Sequence, residues 1–324
     1  MNQKLDDNSI LKRYSDEMTA VSYVTNPAIA RDDEIKKLIL VLLTPEKSAI
    51  LVGKPGIGKT AIVEGLAYRI QRNLVPNRLS KYRIFRLNTT ALVGYDNDGE
   101  NRVLKLVEEL KSIDKVILFI DEIHTLIGDG TLDLANMFKE GLSRGSIKII
   151  GATTTYEYEH FILRDKVFMR RFDKVDVAEP TGEQCVQILL RTLPKIEYQT
   201  NVKLAYTDFQ KENIMKFIVN MTSEFKRVYE TNVRYPDIAL TILQSAFSYT
   251  SFENRKEVTI RDIRKAIQKT KLIYPDVIKK ELILMEKIWM MISLMILSYS
   301  HSDFFIEKNI VLFYNCIEVL LWIL

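Results

Sequence analysis

The chain is poor in the residues that build disulfide scaffolds and metal centres. It has two cysteines and three histidines among 324 residues. Cys185 and Cys316 lie far apart in apolar surroundings, which excludes a disulfide framework and reads as reduced core thiols. His124, His160 and His301 show no metal-ligand spacing among themselves or with cysteine. Runs of like charge are also missing. The net charge of +4 is spread along the chain, so no basic tail is present and nucleic acid is not expected as a partner. There are no internal repeats or low-complexity linkers. The charged start, MNQKLDDNSILKRYSDE, does not read as a secretory leader, and the expected compartment is the cytoplasm. What remains is a composition of globular type, 47% hydrophobic and 27% charged, with length for about two domains.

Within it, Gly53–Thr60 reads GKPGIGKT and fits the phosphate-binding pattern G-x-x-x-x-G-K-T at every fixed position. Glycines let backbone amides close around phosphates, Lys59 reaches the outer phosphates, and the Thr60 hydroxyl can ligate Mg²⁺. The surroundings agree. Ala49–Val52 reads as a buried strand entering the loop. Ala61–Ile70 follows as a helix with Ile62, Val63, Leu66, Ala67 and Ile70 on one face. Strand, glycine loop and helix together aim a helix N-terminus at phosphate.

Residues 1–26 read as a short polar lead, with at most a short helix around Ile10–Met18. A helix is expected over Arg31–Leu43. Further strands are expected at Arg83–Asn88, Val116–Ile120, Lys148–Ala152 and Lys174–Val177, with helices at Arg102–Leu110, Leu132–Leu142 and Tyr158–Met169. The alternation predicts an α/β domain over 27–178, a mainly parallel sheet between helices. From Glu179–Pro180 only helices are expected. Thr181 with Gln184, Thr207 with Gln210, and Thr259 with Asp262 look like capping pairs, and Pro236 opens a helix over Asp237–Tyr249. A small helical domain therefore covers 179–275. Residues 276–324 form an apolar tail whose runs, Ile288–Tyr299 and Ile310–Leu324, are each shorter than the roughly 20 residues a bilayer needs. Buried helices, a membrane-associated hairpin and the by-product of a shortened reading frame all stay open. The last is favoured, and membrane contact is not.

ATP hydrolysis on a phosphate loop also needs an acid to organise Mg²⁺ and a group to activate water. Asp121–Glu122, at the end of the apolar run Val116–Ile120, supplies both: Asp121 for the metal, Glu122 as general base. Thr153 and Thr154 end the next strand, where ligands bind in open α/β sheets, and read either as a γ-phosphate sensor or as ordinary strand-end threonines. Arg170 and Arg171 read either as solvated surface or as a finger that stabilises transition-state charge on a neighbouring subunit.

Three segments, GKPGIGKTAIVEGLAYRI, VILFIDEIHTLIGDG and IKIIGATTTYEYEHFILRDKVFMRRFDKVDVAEPT, together resemble the first ATPase ring of Clp-type AAA+ unfoldases, the ClpA, ClpB and ClpC group. The similarity spans about Pro27 to Ala266 and includes YPDIALTILQSAF. It implies an AAA+ P-loop NTPase large domain followed by a helical lid, with ATP and Mg²⁺ as cofactors. It assigns Gly53, Lys54, Pro55, Gly56, Ile57, Gly58, Lys59, Thr60 and the adjoining Ala61 to nucleotide, and Thr60 with Asp121 to Mg²⁺. Glu122 is the implied base, and Thr154, with Thr153 beside it, the implied sensor. Arg170 and Arg171 become a trans-acting pair, which implies a homo-oligomeric ring, a hexamer, that remodels a protein substrate. Ile29 is placed near the adenine. The family's usual glycine before Arg31 is Ala30 here. The pore-loop tyrosine has one candidate, Tyr95, set among acids where the family has bases. The amino-terminal substrate domain, the coiled-coil insertion and the second ring have no counterpart in this sequence, so the expectation is a single-module, truncated form. Two alternatives stand beside this reading: a truncated or inactive partner subunit that joins mixed rings with a full-length Clp protein, and a nucleic-acid-associated AAA+ loader.

Overall fold

The computed structural model describes residues 9–92, 94–95, 99–126 and 148–283, the side chains of 126, 167 and 168 excepted. The helix expected over Leu132–Leu142 and both apolar runs of the tail lie outside the described residues. The chain divides into two compact units, one ending at Pro180 and the other beginning at Thr181.

The first unit is built on a six-stranded sheet. Its strands are β1 (Ser15–Glu17), β2 (Ser48–Val52), β3 (Arg83–Leu87), β4 (Val116–Ile120), β5 (Lys148–Thr153) and β6 (Phe172–Asp176), in the spatial order β1-β3-β4-β5-β2-β6. All neighbouring pairs are parallel except β1 with β3. Every residue of β2, β4 and β5 is buried, because helices cover both faces. The two faces form separate apolar clusters. Ile50, Phe85, Leu118 and Leu106 belong to one; Leu51, Ile84, Phe119 and Leu66 belong to the other. Helix α1 (Asp32–Leu43) and helix α2 (Lys59–Gln71) pack on the second face, and α3 (Arg102–Lys111) on the first.

Residues 9–20 are part of this unit and do not stand off from it as a lead. A short helix, Ile10–Arg13, is capped by Ser9, and Ile10 and Leu11 are buried in the first cluster. The Glu109 carboxylate accepts from the Ile10 amide at 2.7 Å. β1 then pairs with the edge of β3, with Ser15 opposite Leu87, and Glu17 forms an ion pair with Arg83. This stretch is too short to show a period, and its place is set by partners about 65 to 100 residues away. The helix expected over Tyr158–Met169 is likewise broken. Thr155–Glu157, a wide turn at Tyr158–Ile162, and Lys166–Met169 follow one another.

The second unit holds α4 (Gly182–Thr200), α5 (Asp208–Met221), α6 (Asp237–Phe252) and α7 (Ile260–Lys269). Thr181 with Gln184, Thr207 with Gln210, and Thr259 with Asp262 all form capping boxes. A two-residue parallel pair, β7 (Lys203–Leu204) with β8 (Glu257–Val258), adds an element that the all-helical expectation lacked. Residues 275–283 are helical, and Ile278 and Leu282 join the unit's core. Among the described residues no helix is long and apolar enough to cross a membrane.

Candidate nucleotide site

Parallel pairing brings the C-terminal ends of β2, β4 and β5 to one edge of the sheet. Val52 lies opposite Thr153, and Ile120 opposite Gly151. The phosphate loop, Asp121–Glu122 and Thr153–Thr154 therefore leave the sheet side by side, although about a hundred residues separate the first from the last.

The loop's glycines are forced by geometry. Gly56 and Gly58 take φ of 72° and 95°, and Gly58 caps the N-terminus of α2. A Cβ on Gly53 would lie 2.4 Å from the Val177 carbonyl oxygen. Ile57 is buried in the core, whereas Lys54, Pro55 and Gly56 are exposed. The Lys59 ammonium donates to the carbonyls of Gly53 (2.8 Å) and Lys54 (2.9 Å). Burial lowers its pKa, and the nearby charges of Asp121, Glu157 and Glu122 oppose that shift.

The Thr60 hydroxyl donates to Asp121 Oδ2 at 3.2 Å. These two side chains supply a hydroxyl and a carboxylate, all oxygen, on adjoining elements. That donor set fits a small hard cation such as Mg²⁺. Arg86 approaches the same Asp121 oxygen at 3.4 Å. Glu122 is exposed, with φ of 52°, a left-handed conformation that turns the chain sharply out of β4. It lines a cleft of about 400 Å³ together with Asp16, Arg86, Asn88, Thr89 and Asp121.

Thr153 is buried and Thr154 half-buried. Thr154 caps the following turn: its hydroxyl accepts from the Glu157 amide at 3.3 Å, and the Glu157 carboxylate accepts from the Thr154 amide at 3.0 Å. Thr153 donates to the same carboxylate at 3.1 Å. Burial would raise the pKa of Glu157, but hydrogen bonds from Thr154 and Thr153 and the charge of His124 bring it below the ordinary glutamate value.

The remaining candidates are dispersed. Arg170 is exposed, and Arg171 pairs with Glu46 at 3.1 Å. The Arg171 carbonyl accepts from the Ser48 amide at the start of β2, so both arginines sit at the opposite end of the sheet from the loop. Five strand residues make that separation about 17 Å. Ile29 is half-buried beside Ala30, whose φ is 55°. Tyr95 is 65% exposed and bridges Asn101 across a turn whose residues 96–98 lie outside the described set.

Sequence reasoning missed Arg31, His124 and Glu157. Arg31 is only 5% exposed; its guanidinium donates to the Ile57 carbonyl (2.6 Å), the Ala178 carbonyl (2.9 Å) and Glu34 (2.8 Å). In the sequence it is one charged residue in a charged helix start, with no signal of burial. The Thr154–Glu157 spacing is a legible capping box.

Residues 49–178 match the model of the AAA family, "ATPase family associated with various cellular activities". The chaperone protein ClpB of Wolinella succinogenes is 35% identical over 295 residues, which is 87% of this chain and 33% of that protein. The chloroplastic chaperone protein ClpC1 of Oryza sativa subsp. japonica is 43% identical over 191 residues, 56% of this chain and 21% of that protein. Among solved structures, the S. cerevisiae Hsp104–ADP complex superposes with a TM-score of 0.68 at 34% identity, covering 80% of this chain and 45% of that one. The extended S. cerevisiae Hsp104:casein complex gives 0.68 at 35% identity over the same shares. The chain thus spans about a third of the length of the ClpB it matches. Fold, ordered motifs and relatives agree: the chain belongs to the AAA ATPase family, as a single module of the Clp-type AAA+ ATPases.

Proposed function

We propose that this module binds ATP with Mg²⁺ at the Gly53–Thr60 loop, hydrolyses it, and uses the cycle to remodel protein substrates as one subunit of a ring. The observation that carries the proposal is the convergence of Thr60, Asp121, Glu122 and the Thr153–Thr154 strand end around the N-terminus of α2. Mg²⁺ held by Thr60 and Asp121 would supply charge neutralisation on the phosphates. Backbone amides of the loop and the α2 N-terminus hold the phosphate oxygens. Lys59 exchanges its two loop carbonyls for the outer phosphates. Glu122, exposed at the mouth of its cleft, accepts a proton from the attacking water. Thr154 reads the γ-phosphate end, and Ile29 borders the base.

Arg170 and Arg171 serve a neighbour's nucleotide. A separation of about 17 Å from their own loop exceeds an arginine's reach, which supports action between subunits and hence a ring, a hexamer by family likeness. Tyr95, 65% exposed, is the residue we assign to gripping the substrate chain. Hsp104 has been solved with casein, and that likeness supports a polypeptide substrate. Cytoplasmic residence belongs to the same reading, since Cys185 is a fully buried core thiol of the kind a reducing compartment keeps.

Complementation tests it. Glu122→Gln alone and Arg170→Ala/Arg171→Ala alone are each expected to lose ATP turnover. Mixed, they should regain it, because a Glu122 from one subunit then meets arginines from the other. Mixtures that stay inactive while the wild type turns over would rule out shared active sites.

A further inference from the structure

His124 lies two residues beyond Glu122, on the turn Ile123–Leu126 that leads out of β4. Its Nδ1 is 3.2 Å from Thr153 Oγ1 and 3.2 Å from Glu157 Oε2. The same Glu157 oxygen accepts from the Thr153 hydroxyl and the Thr154 amide. The ring also stacks on Phe161 at 6.2 Å, which holds its plane.

Counting donors assigns the proton. Thr153 has one hydroxyl hydrogen, and it points at Glu157. An ionised carboxylate only accepts, and with its hydrogen on Glu157 the Thr153 oxygen can offer His124 only a lone pair. On this assignment His124 Nδ1 carries a hydrogen, shared between Thr153 and Glu157. The imidazole joins two strand ends that have no covalent link at this edge: the β4 end, which presents Glu122, and the β5 end, which presents Thr153 and Thr154. Thr153 lies opposite Val52, and its carbonyl accepts from the Gly53 amide at 3.3 Å, so the junction stands beside the phosphate loop.

We propose that His124 is a positioning residue for hydrolysis, which couples Glu122 to the Thr153–Thr154 strand end through Glu157. This inference rests on the hydrolytic reading of the site. Displacement of the β5 end would pull His124, and with it the short turn that sets the direction of Glu122. Misplacing a catalytic group by about 1 Å costs on the order of a hundredfold in rate, so a single hydrogen-bonded link is enough to matter.

The test uses the full chain with His124→Ala, His124→Asn and Glu157→Gln, reading kcat and KM for ATP, nucleotide affinity and thermal melting together. His124→Ala should lower kcat about ten- to hundredfold, with KM and nucleotide affinity within about twofold. His124→Asn places an N–H donor near the Nδ1 position and should recover most of the loss. Unchanged kcat in His124→Ala, in a preparation whose wild type turns over, would overturn the inference. So would a loss that tracks melting temperature and that asparagine does not rescue. A readout free of turnover separates the two hypotheses: ¹⁵N NMR of the histidine rings, assigned with His124→Asn. A proton on Nδ1 of His124 that Glu157→Gln perturbs supports the link, and an Nε2-only tautomer sinks it. A wild type with no turnover at any concentration would sink the hydrolytic reading instead, and the ring tautomer would still decide the link.

Discussion

Arg31 Nη2 donates to the Ile57 carbonyl over 2.6 Å, and this bond ties the phosphate loop to the start of α1. The other guanidinium nitrogen holds Ala178 just beyond β6 and Glu34 one turn along α1. One buried cation thus organises three segments. Arg31→Ala would leave a carboxylate and two carbonyls without their donor. We expect a stability loss of about 3 kcal/mol by urea denaturation, with weaker nucleotide binding. Arg31→Lys should recover only part of it, since an ammonium cannot match the planar fork. A loss below about 1 kcal/mol for the alanine variant would refute the role.

Ala30 occupies a left-handed turn, φ 55°, immediately before Arg31. A side chain there costs roughly 1–2 kcal/mol of backbone strain, which glycine removes while adding unfolded-state entropy. Ala30→Gly should stabilise the first unit by about 0.5–1 kcal/mol. Gly65→Ala should do the reverse, because its Cβ would lie 2.2 Å from the Ala28 Cβ and 3.1 Å from Ile35 Cδ1. Overpacking of that kind costs about 1–3 kcal/mol. Chemical denaturation of both variants checks the pair.

Thr60→Ala removes one of two oxygen donors proposed for Mg²⁺. Titration of Mg²⁺ against ATP turnover should show a requirement raised about tenfold or more, while nucleotide affinity in excess chelator stays near wild type. Asp121→Asn should act in the same direction and more strongly, because it also removes the charge. Equal Mg²⁺ dependence in all three proteins would mean that the metal sits elsewhere.

In the second unit Asp262 is 4% exposed, and its pKa is held down to about 2. Burial by itself would raise the value; hydrogen bonds from Arg255 and from the Thr259 amide and hydroxyl outweigh it. Because the folded value lies below the unfolded one, the stabilisation is present above about pH 4 and is lost as pH falls toward 2. Asp262→Asn should cost about 1–2 kcal/mol at pH 7, discounted for the partly exposed Arg255, and almost nothing at pH 2. Denaturation at both pH values reads the difference, and equal losses would contradict the assignment.

Much of the candidate site could be read from the chain alone because its motifs are local. A glycine loop must follow a strand and open a helix, and Gly53–Thr60 does so within eight residues. Asp121–Glu122 follows a run whose apolar character marks burial on both faces. The capping pairs at Thr181, Thr207 and Thr259 were legible for the same reason, since each joins residues three apart. A short helix near Ile10 was legible, but the place of residues 9–20 in the sheet was not, because their partners Glu109, Arg83 and Leu87 lie far along the chain. Nor was the break after Glu157, where a helical pattern gives way to a wide turn.

By itself, then, the sequence determined the longer strands and helices and which residue types are candidates for phosphate, metal and proton, since backbone periodicity and motif spacing act over short distances. Tertiary structure decided what those residues touch. Only parallel pairing of β2, β4 and β5 puts three strand ends at one edge, and only packing buries Arg31 against Ile57 or sets His124 between Thr153 and Glu157. Those contacts join segments from about 25 to more than a hundred residues apart. No local pattern encodes them, because burial and sheet pairing arise from the whole fold closing on itself.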